Sequence, residues 1–283
     1  MPVTSAKTDS LSKLPDNLVD SILERLPIQD VVRTSILSRN WRYKWTTMWS
    51  LVLDKRFSNK LAKNDAFGYN GFIRVTNQLF HFLKGPIVKV HLHIPKIVLD
   101  SFQEVDQWIL SLSRDGVREL FFKNSNKNYQ LPSYLFECSE LRRLELNNCI
   151  FKPPLEFRGF LSLSDLRLEN ITFGENLSGT IIKLPQLKKL SLVRCRNVYN
   201  FNIVAIKLQF LMVMRCFDAM FLRLLRSRGL TRVYLLSFKP ITLVQRVNLA
   251  TILSKMPYLV SLSMDGCFLK KIFPSGFQAQ LID

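Results

Sequence analysis

LRRLELNNC spans residues 141–149 and LKKLSLVRC spans residues 187–195. Both read L-x-x-L-x-L-x-x-C, and each places one of the chain's 5 cysteines at the ninth position. The same spacing recurs along the chain. It runs through Val117, Leu120, Phe122 and Ser125, then Leu163, Leu166, Leu168 and Ile171. It continues through Leu208, Leu211, Val213 and Cys216, then Leu230, Val233, Leu235 and Phe238, then Leu259, Leu262, Met264 and Cys267. Ile87, Val90 and Leu92 fit it more loosely. Inside the phrase the period is that of a strand: positions four and six share one face, and positions three, five and seven share the other.

The phrases begin at 87, 117, 141, 163, 187, 208, 230 and 259, so neighbours lie 21 to 30 residues apart. A leucine-rich repeat has a period of about 20–29 residues. One such repeat cannot bury its leucine face alone, so neighbours stack and share a core. The expected architecture from 87 to 283 is a solenoid, a curved parallel sheet with irregular or helical segments on its convex side. Position nine is where the chain bends away from the strand, and a small, weakly polar thiol suits a buried corner there. Cys149, Cys195, Cys216 and Cys267 are thus read as reduced packing residues, with Cys138 outside the phrase. Convex helices are expected over 71–85, 101–116 and 242–257. The first has Phe72, Val75, Leu79 and Phe82 inward and Gly85 as its stop. The second has Ser101 and Glu104 as a capping box, with Phe102, Val105, Ile109 and Leu112 inward. IFKPPLEFRGFLS (150–162) reads as irregular, because Pro153 and Pro154 break regular structure.

With 283 residues, 47% hydrophobic and 22% charged, the chain is long enough for a sizeable core. Its net charge of +18 favours an acidic partner. The positive residues are scattered, however, and the densest groups are pairs such as Arg142-Arg143, Lys188-Lys189 and Lys270-Lys271. Scattered charge reads as a solvated face, which disfavours nucleic acid as the partner. MPVTSAKTDSLSK (1–13) has no apolar leader core, and no stretch reaches the roughly 20 apolar residues of a membrane span. A cytoplasmic and/or nuclear location without membrane contact is expected. Neither G-x-S-x-G, H-E-x-x-H, a Walker loop nor G-x-G-x-x-G occurs, so no catalytic cluster, metal site or cofactor is expected. His91 and His93 form H-x-H on one strand face, but two ligands do not make a zinc site, and both are read as surface residues.

No repeat phrase is recognised ahead of 87. Instead comes LPDNLVDSILERLPIQDVVRTSILSRNWRYKWTTMW (14–49), which holds Trp41, Trp45 and Trp49, all but one of the chain's 4 tryptophans. Three short helices are expected here. Asp16 caps the first, over 16–26, with Leu18, Val19, Ile22, Leu23 and Leu26 as its apolar face and Pro27 as its end. The second covers 30–37 with Val31, Val32 and Ile36. Ser38 caps the third, where Trp41 and Trp45 stand four apart. Helices this short cannot bury so many apolar side chains among themselves. Two uses for the surplus remain open: a partner-binding face, since Trp is enriched at binding hot spots, or packing against the repeats that follow.

This stretch resembles an F-box. The resemblance lies in the opening L-P at Leu14 and Pro15, the apolar spacing of the first helix, L-P-x-x-D-V-V at 26–32, L-S-R at 37–39 and W-R-x-x-W at 41–45. An F-box followed by a degenerate leucine-rich array is similar to the plant F-box/LRR proteins, often called F-box/FBD/LRR-repeat proteins. The resemblance implies a multidomain chain of α plus α/β class. A flexible tail (1–11) would lead into a three-helix F-box (12–52), a helical linker or solenoid cap (53–86) and the leucine-rich repeats (87–283). It also implies a non-catalytic role, as the substrate-recognition subunit of an SCF-type E3 ubiquitin ligase. The box would bind a Skp1-type adaptor, and through it cullin and RING subunits, while the repeats bind a protein substrate. Adaptor contact would then fall among Leu14, Pro15, Leu18, Ile22, Leu26, Pro27, Val31, Val32, Leu37, Trp41 and Trp45, a set that mixes interface with internal core. Many relatives carry a further C-terminal FBD segment. FPSGFQAQLID (273–283) ends the sequence without one, so either a short receptor or a truncated form is expected, with a frayed last repeat.

If positions four and six point inward, positions three, five and seven line the concave surface. Over Arg143, Glu145 and Asn147, and Asp165, Arg167 and Glu169, that surface is charged. Over Phe210, Met212, Met214, Tyr234 and Leu236 it is apolar, with Lys189 and Arg232 at the rim. This patch is the candidate substrate surface. A C-terminal tail folded over it, or a register displaced by one residue, are the competing readings. The alternative function is a basic leucine-rich scaffold that binds nucleic acid or acidic ligands and has no part in a ligase.

Overall fold

Proline and threonine decide how the N-terminal segment folds. In the computed structural model the described residues are 14–39, 41–62, 68–96, 102–126, 129–175, 181–198, 201–216, 227, 229–236, 254 and 256–265. Helix α1 (Asp16–Leu23) begins with Pro15, not Asp16, at its N-cap, and the cap has no side-chain hydrogen bond. Pro15 holds an extended conformation and its carbonyl accepts from the amides of Leu18 and Val19. Asp16 therefore lies inside the first turn, and the helix ends short of the expected Leu26. Helix α2 (Ile28–Arg33) passes into a 3-10 turn, Thr34–Ile36. The third expected helix is absent as an α-helix: residues 41–43 form turns and Lys44–Thr47 a 3-10 turn. The hydroxyls of Thr34, Thr46 and Thr47 each donate to the carbonyl three residues back, at 2.7, 2.7 and 3.0 Å. These bonds compete with α-helical pairing.

Strand β1 (Ser50–Leu53) follows directly, then α3 (Lys55–Ala62) and α4 (Gly68–Phe82). Next come β2 (Lys89–Ile94), α5 (Gln103–Arg114), β3 (Glu119–Asn124), β4 (Arg143–Asn147), β5 (Ile150–Phe151), β6 (Asp165–Glu169) and β7 (Thr172–Phe173). The chain continues through β8 (Ile181–Lys183), β9 (Lys189–Val193), β10 (Asn202–Val204), β11 (Phe210–Met214), β12 (Arg232–Leu236) and β13 (Ser261–Met264). Among the described residues, β1-β2-β3-β4-β6-β9-β11-β12-β13 form one parallel sheet in that order. Position six of every repeat pairs with position six of the next: Leu92 with Phe122, Leu146, Leu168, Leu192, Val213, Leu235 and Met264 in turn. Leu53 extends this row on the other side, opposite Leu92. The sheet thus starts at Ser50, where Met48, Leu51 and Leu53 repeat the one-four-six spacing without the corner residue. At the far end the row loosens, and Leu262, a position-four residue, is 38% exposed.

A left-handed residue at position eight turns the chain out of β4, β6, β9 and β11. Asn148, Asn170, Arg194 and Arg215 have φ of 60°, 52°, 52° and 54°. Asparagine tolerates this conformation, whereas arginine rarely adopts it. The turn drives position nine inward, and Cys149, Ile171, Cys195 and Cys216 are buried. Cys195 donates its amide to Cys216 Sγ at 3.4 Å and its thiol to Leu168 O at 3.4 Å. Burial raises the Cys149 thiol pKa, and the hydrogen bond with Cys216, then burial, raises that of Cys195. Cys138 is pushed up to about 12, first by burial. Thiols held protonated in this way are poor nucleophiles, as packing residues should be. Cys267 lies outside the described residues. The β3 repeat departs from the pattern, because Asn124 fills the buried corner and Ser125 is exposed. The Asn124 carboxamide donates to Asn126 O at 2.8 Å and Asn148 O at 3.2 Å, and that of Asn148 donates to Asn124 O at 3.1 Å. An asparagine ladder thereby satisfies carbonyls that the altered bend would strand.

Beyond the bends, β5 pairs with β7 and β8 with β10. Helix α5 occupies the longest interval between phrases. Its Val105, Trp108, Ile109 and Leu112 are buried, Phe102 holds its N-cap, and the expected cap Ser101 lies outside the described residues. Trp108 meets the rings of Phe72 and Phe80 of α4, each with centroids 5.9 Å away, and its Nε1 donates to Asn77 Oδ1 at 2.7 Å. In α4, Phe72 and Leu79 point inward as expected, but Phe82 is 51% exposed at the end of the helix, where its ring meets those of Trp45 and His81. Gly85 follows the helix end, and a Cβ there would lie 3.1 Å from Thr47 O. Most of the expected 242–257 helix lies outside the described residues.

Under the irregular 150–162 stretch, phenylalanines replace leucines as the packing unit. Phe136 meets Phe151 and Phe157, both at 5.1 Å, Phe151 meets Phe173 at 5.7 Å, and Phe173 stacks on Phe201 at 4.5 Å. Edge-on and stacked rings contribute beyond the area they bury. Phe151 is 1% exposed at the centre of this group. Phe151→Ala should destabilise the chain by about 3–5 kcal/mol, read as a lowered urea midpoint.

Candidate functional site

The N-terminal apolar residues divide by helical face. On α1, Val19 and Leu23 point inward while Leu18 and Ile22 stay exposed, as do Pro15 before the helix and Leu26 after it. Farther on, Val31, Trp41 and Trp45 are buried, Leu14 and Val32 are half-buried, and Pro27 and Leu37 are exposed. Part of the apolar surplus thus packs against the repeats, and the rest faces outward. The inward set joins the same contiguous core as the repeats, and the outward set remains an apolar surface. Ile36, 86% exposed, also belongs to that surface, although the contact set expected from the sequence leaves it out. Its spacing of four from Val32 was the available signal. Polar clamps hold the segment in place: Lys44 pairs with Asp16, the Trp49 indole donates to Glu24, and Lys60 Nζ donates to Gln29 Oε1 at 3.0 Å. The elements under the surface are thus tied to one another and to α3.

A second surface lies on the concave face. The pairing sets Phe210 between Lys189 and Arg232, Met212 between Ser191 and Tyr234, and Met214 between Val193 and Leu236. The register is the expected one, and all seven candidate residues share this face. Phe210, Met212, Met214, Tyr234 and Leu236 are half-buried, while Lys189 and Arg232 are exposed. The Phe210 and Tyr234 rings lie 5.6 Å apart, and the Arg232 guanidinium stands 5.7 Å from the Phe210 centroid. The neighbouring strands differ. Arg167 reaches Glu145 at 3.5 Å and Glu169 at 3.4 Å, Arg194 pairs with Glu169, and Lys89 lies 3.9 Å from Glu119.

Residues 11–53 match the family model for the F-box domain, and residues 85–228 match the model described as At1g61320/AtMIF1, LRR domain. The chain belongs to the F-box/LRR-repeat family. It is similar to the F-box/FBD/LRR-repeat protein At1g13570 of Arabidopsis thaliana, at 36% identity over 65% of this chain and 44% of the relative. F-box/FBD/LRR-repeat protein At5g56420 of the same plant is 31% identical over 66% of this chain and 44% of the relative. FBD-associated F-box protein At5g56370, also from Arabidopsis thaliana, is 30% identical over 71% of this chain and 48% of the relative. The chain spans less than half the length of these curated relatives. Neither family model describes an enzyme. No helix among the described residues is long and apolar enough to cross a membrane.

In this F-box/LRR-repeat protein the two strand histidines are not surface residues. His93 is 5% exposed, its Nδ1 meets Ser58 Oγ of α3, and its Nε2 lies 3.1 Å from Ser125 Oγ. His91 stacks on Phe121 with centroids 4.0 Å apart, and its buried Nε2 has no hydrogen-bond partner. Strand alternation suggested exposure, but α3 covers this end of the concave face. Desolvation, then the Lys123 and Lys55 charges against a smaller opposing effect of Asp54, lowers the pKa of His93. Desolvation also lowers that of His91, aided by Lys89 and Arg143 and opposed by Glu119 and Asp54. Both rings hold a proton less tightly in the fold than unfolded histidine, which takes one up near about pH 6.5. The unfolded chain then binds more protons, so stability is full above that pH and is lost as pH falls below it. Melting temperature should drop between about pH 7.5 and about pH 5.5, and His93→Gln should make that pH dependence shallower.

Proposed function

We propose that this chain is the non-catalytic substrate receptor of an SCF-type E3 ubiquitin ligase. The exposed face of Pro15, Leu18, Ile22, Leu26, Pro27, Ile36 and Leu37 docks a Skp1-type adaptor, which connects to cullin and RING subunits. Leu14, Val31, Val32, Trp41 and Trp45 act behind it, holding the face in shape. The concave residues Lys189, Phe210, Met212, Met214, Arg232, Tyr234 and Leu236 take a protein substrate. One observation carries the reading: a segment matched as an F-box buries one set of its apolar residues in the core and leaves another set outward. Solvent-facing apolar patches of this kind mark protein interfaces. Ubiquitin transfer belongs to the other subunits, and the setting is the cytoplasm and/or the nucleus.

The net charge of +18 favours the second reading, a basic scaffold for nucleic acid or acidic ligands. Such binding would weaken steeply with salt. Co-expression with a Skp1-type adaptor separates the two readings. The wild type should co-purify one-to-one with the adaptor. Ile22→Asp and Ile36→Asp should each weaken the complex about 30-fold or more, the scale of a hot-spot loss, with little change in melting temperature. Trp41→Ala should instead lower stability by about 3–5 kcal/mol, because Trp41 is buried. A folded wild type that leaves the adaptor behind overturns the ligase reading.

A further inference from the structure

We propose that the concave face over β9, β11 and β12 is selective for an acidic-apolar protein segment, one in which a carboxylate stands within about four residues of two large apolar side chains. The proposal rests on reading this face as the substrate surface and names the class of substrate.

The pairing arranges nine side chains as a grid. The row at the N-terminal ends of the strands is Lys189, Phe210 and Arg232, the middle row is Ser191, Met212 and Tyr234, and the last row is Val193, Met214 and Leu236. Among these nine, charge is thus confined to one end of the strands, and the accessible part of the other end is the half-buried Met214 and Leu236, with Val193 buried beside them. From first row to last is four residues of strand, about 13 Å. A segment spanning that distance meets cations at one end and an apolar floor at the other.

The two cations are unmatched. Among the described residues, no carboxylate lies within 4.0 Å of Lys189 or Arg232, whereas Arg167 on β6 and Arg194 at the bend after β9 are both paired with glutamates. Asp165 is the strand neighbour of Lys189 and makes no ion pair with it. Packing against Phe210 steadies the Arg232 guanidinium, whose planar fork suits a carboxylate. Covering these cations with a neutral or basic segment would strip them of water without replacement, which penalises the wrong partner. Methionine, by contrast, adapts to varied shapes. The face should therefore be strict about the acid and tolerant about the apolar residues. A nucleic acid would find cations only in the first row and nothing for its phosphates over Val193, Met214 and Leu236.

Random peptides displayed on phage, selected against the purified full-length chain, test this. Enriched peptides should carry Asp or Glu within about four residues of two of Leu, Ile, Met or Phe. A synthetic enriched peptide should bind about tenfold or more weakly to Lys189→Glu/Arg232→Glu and to Met212→Asp. The charge-reversed chain should enrich Lys- or Arg-bearing peptides instead. Unchanged melting temperatures exclude misfolding as the cause. Enriched peptides without acid, or binding indifferent to these variants, would overturn the proposal. So would tight binding of an RNA oligonucleotide that is lost in the charge reversal and kept in Met212→Asp. Adaptor binding is measured separately on the same preparations. Its failure with peptide selection intact sinks the ligase reading alone, and the converse sinks this proposal alone.

Discussion

Everything in this molecule depends on parallel strands stacking in exact register on a shared row of apolar side chains. Leu53, Leu92, Phe122, Leu146, Leu168, Leu192, Val213, Leu235 and Met264 occupy that row in succession. No member of it has apolar partners enough within its own repeat, so each strand is stable only because of the strands beside it. A shift by one residue would turn the whole leucine set outward and the charged set inward. The left-handed turns at position eight support the register by ending β4, β6, β9 and β11 at the same repeat position.

Fixed register has a second effect. It converts a sequence pattern into a surface with rows, so residues 21 to 24 apart become neighbours across the concave face. In the middle of the array those neighbours are arginines and glutamates that pair with one another. Toward β11 and β12 they are aromatic and sulfur-containing, and polarity is left to Lys189 and Arg232. A surface whose charges are already paired offers little to a partner, because covering it only exchanges satisfied contacts for new ones.

The repeats were legible because each of their strands carries a one-four-six spacing, and every strand from β3 to β12 on the main sheet presents the faces that spacing predicts, whereas in β13 the expected inward residue Leu262 is exposed. What escaped had local physical causes. The β1 phrase uses Met48 at position one and lacks the corner residue. The third N-terminal helix failed because threonine hydroxyls took carbonyls that an α-helix needs. Asn124 displaced Ser125 from its corner because its carboxamide can bond two neighbouring carbonyls and a serine hydroxyl cannot. His91 and His93 alternate like exposed residues, and only the tertiary placement of α3 covers them. Among the N-terminal apolar residues, composition revealed a surplus. Sorting Leu18 from Val19, or Ile22 from Leu23, required knowing which side of α1 meets the core.

Strand β1 joins the N-terminal segment to the sheet with no flexible chain between them, since Trp49 O accepts the amides of both Val88 and Lys89 as β1 begins. The solenoid therefore acts as a ruler. Six strand steps separate β1 from β11, roughly 29 Å at about 4.8 Å per step. In the proposed ligase, any slack needed to bring an acceptor lysine to the transferring subunit must come from the captured client, not from its receptor. Removing one internal repeat would shorten the ruler by a single step while leaving both binding surfaces chemically unchanged.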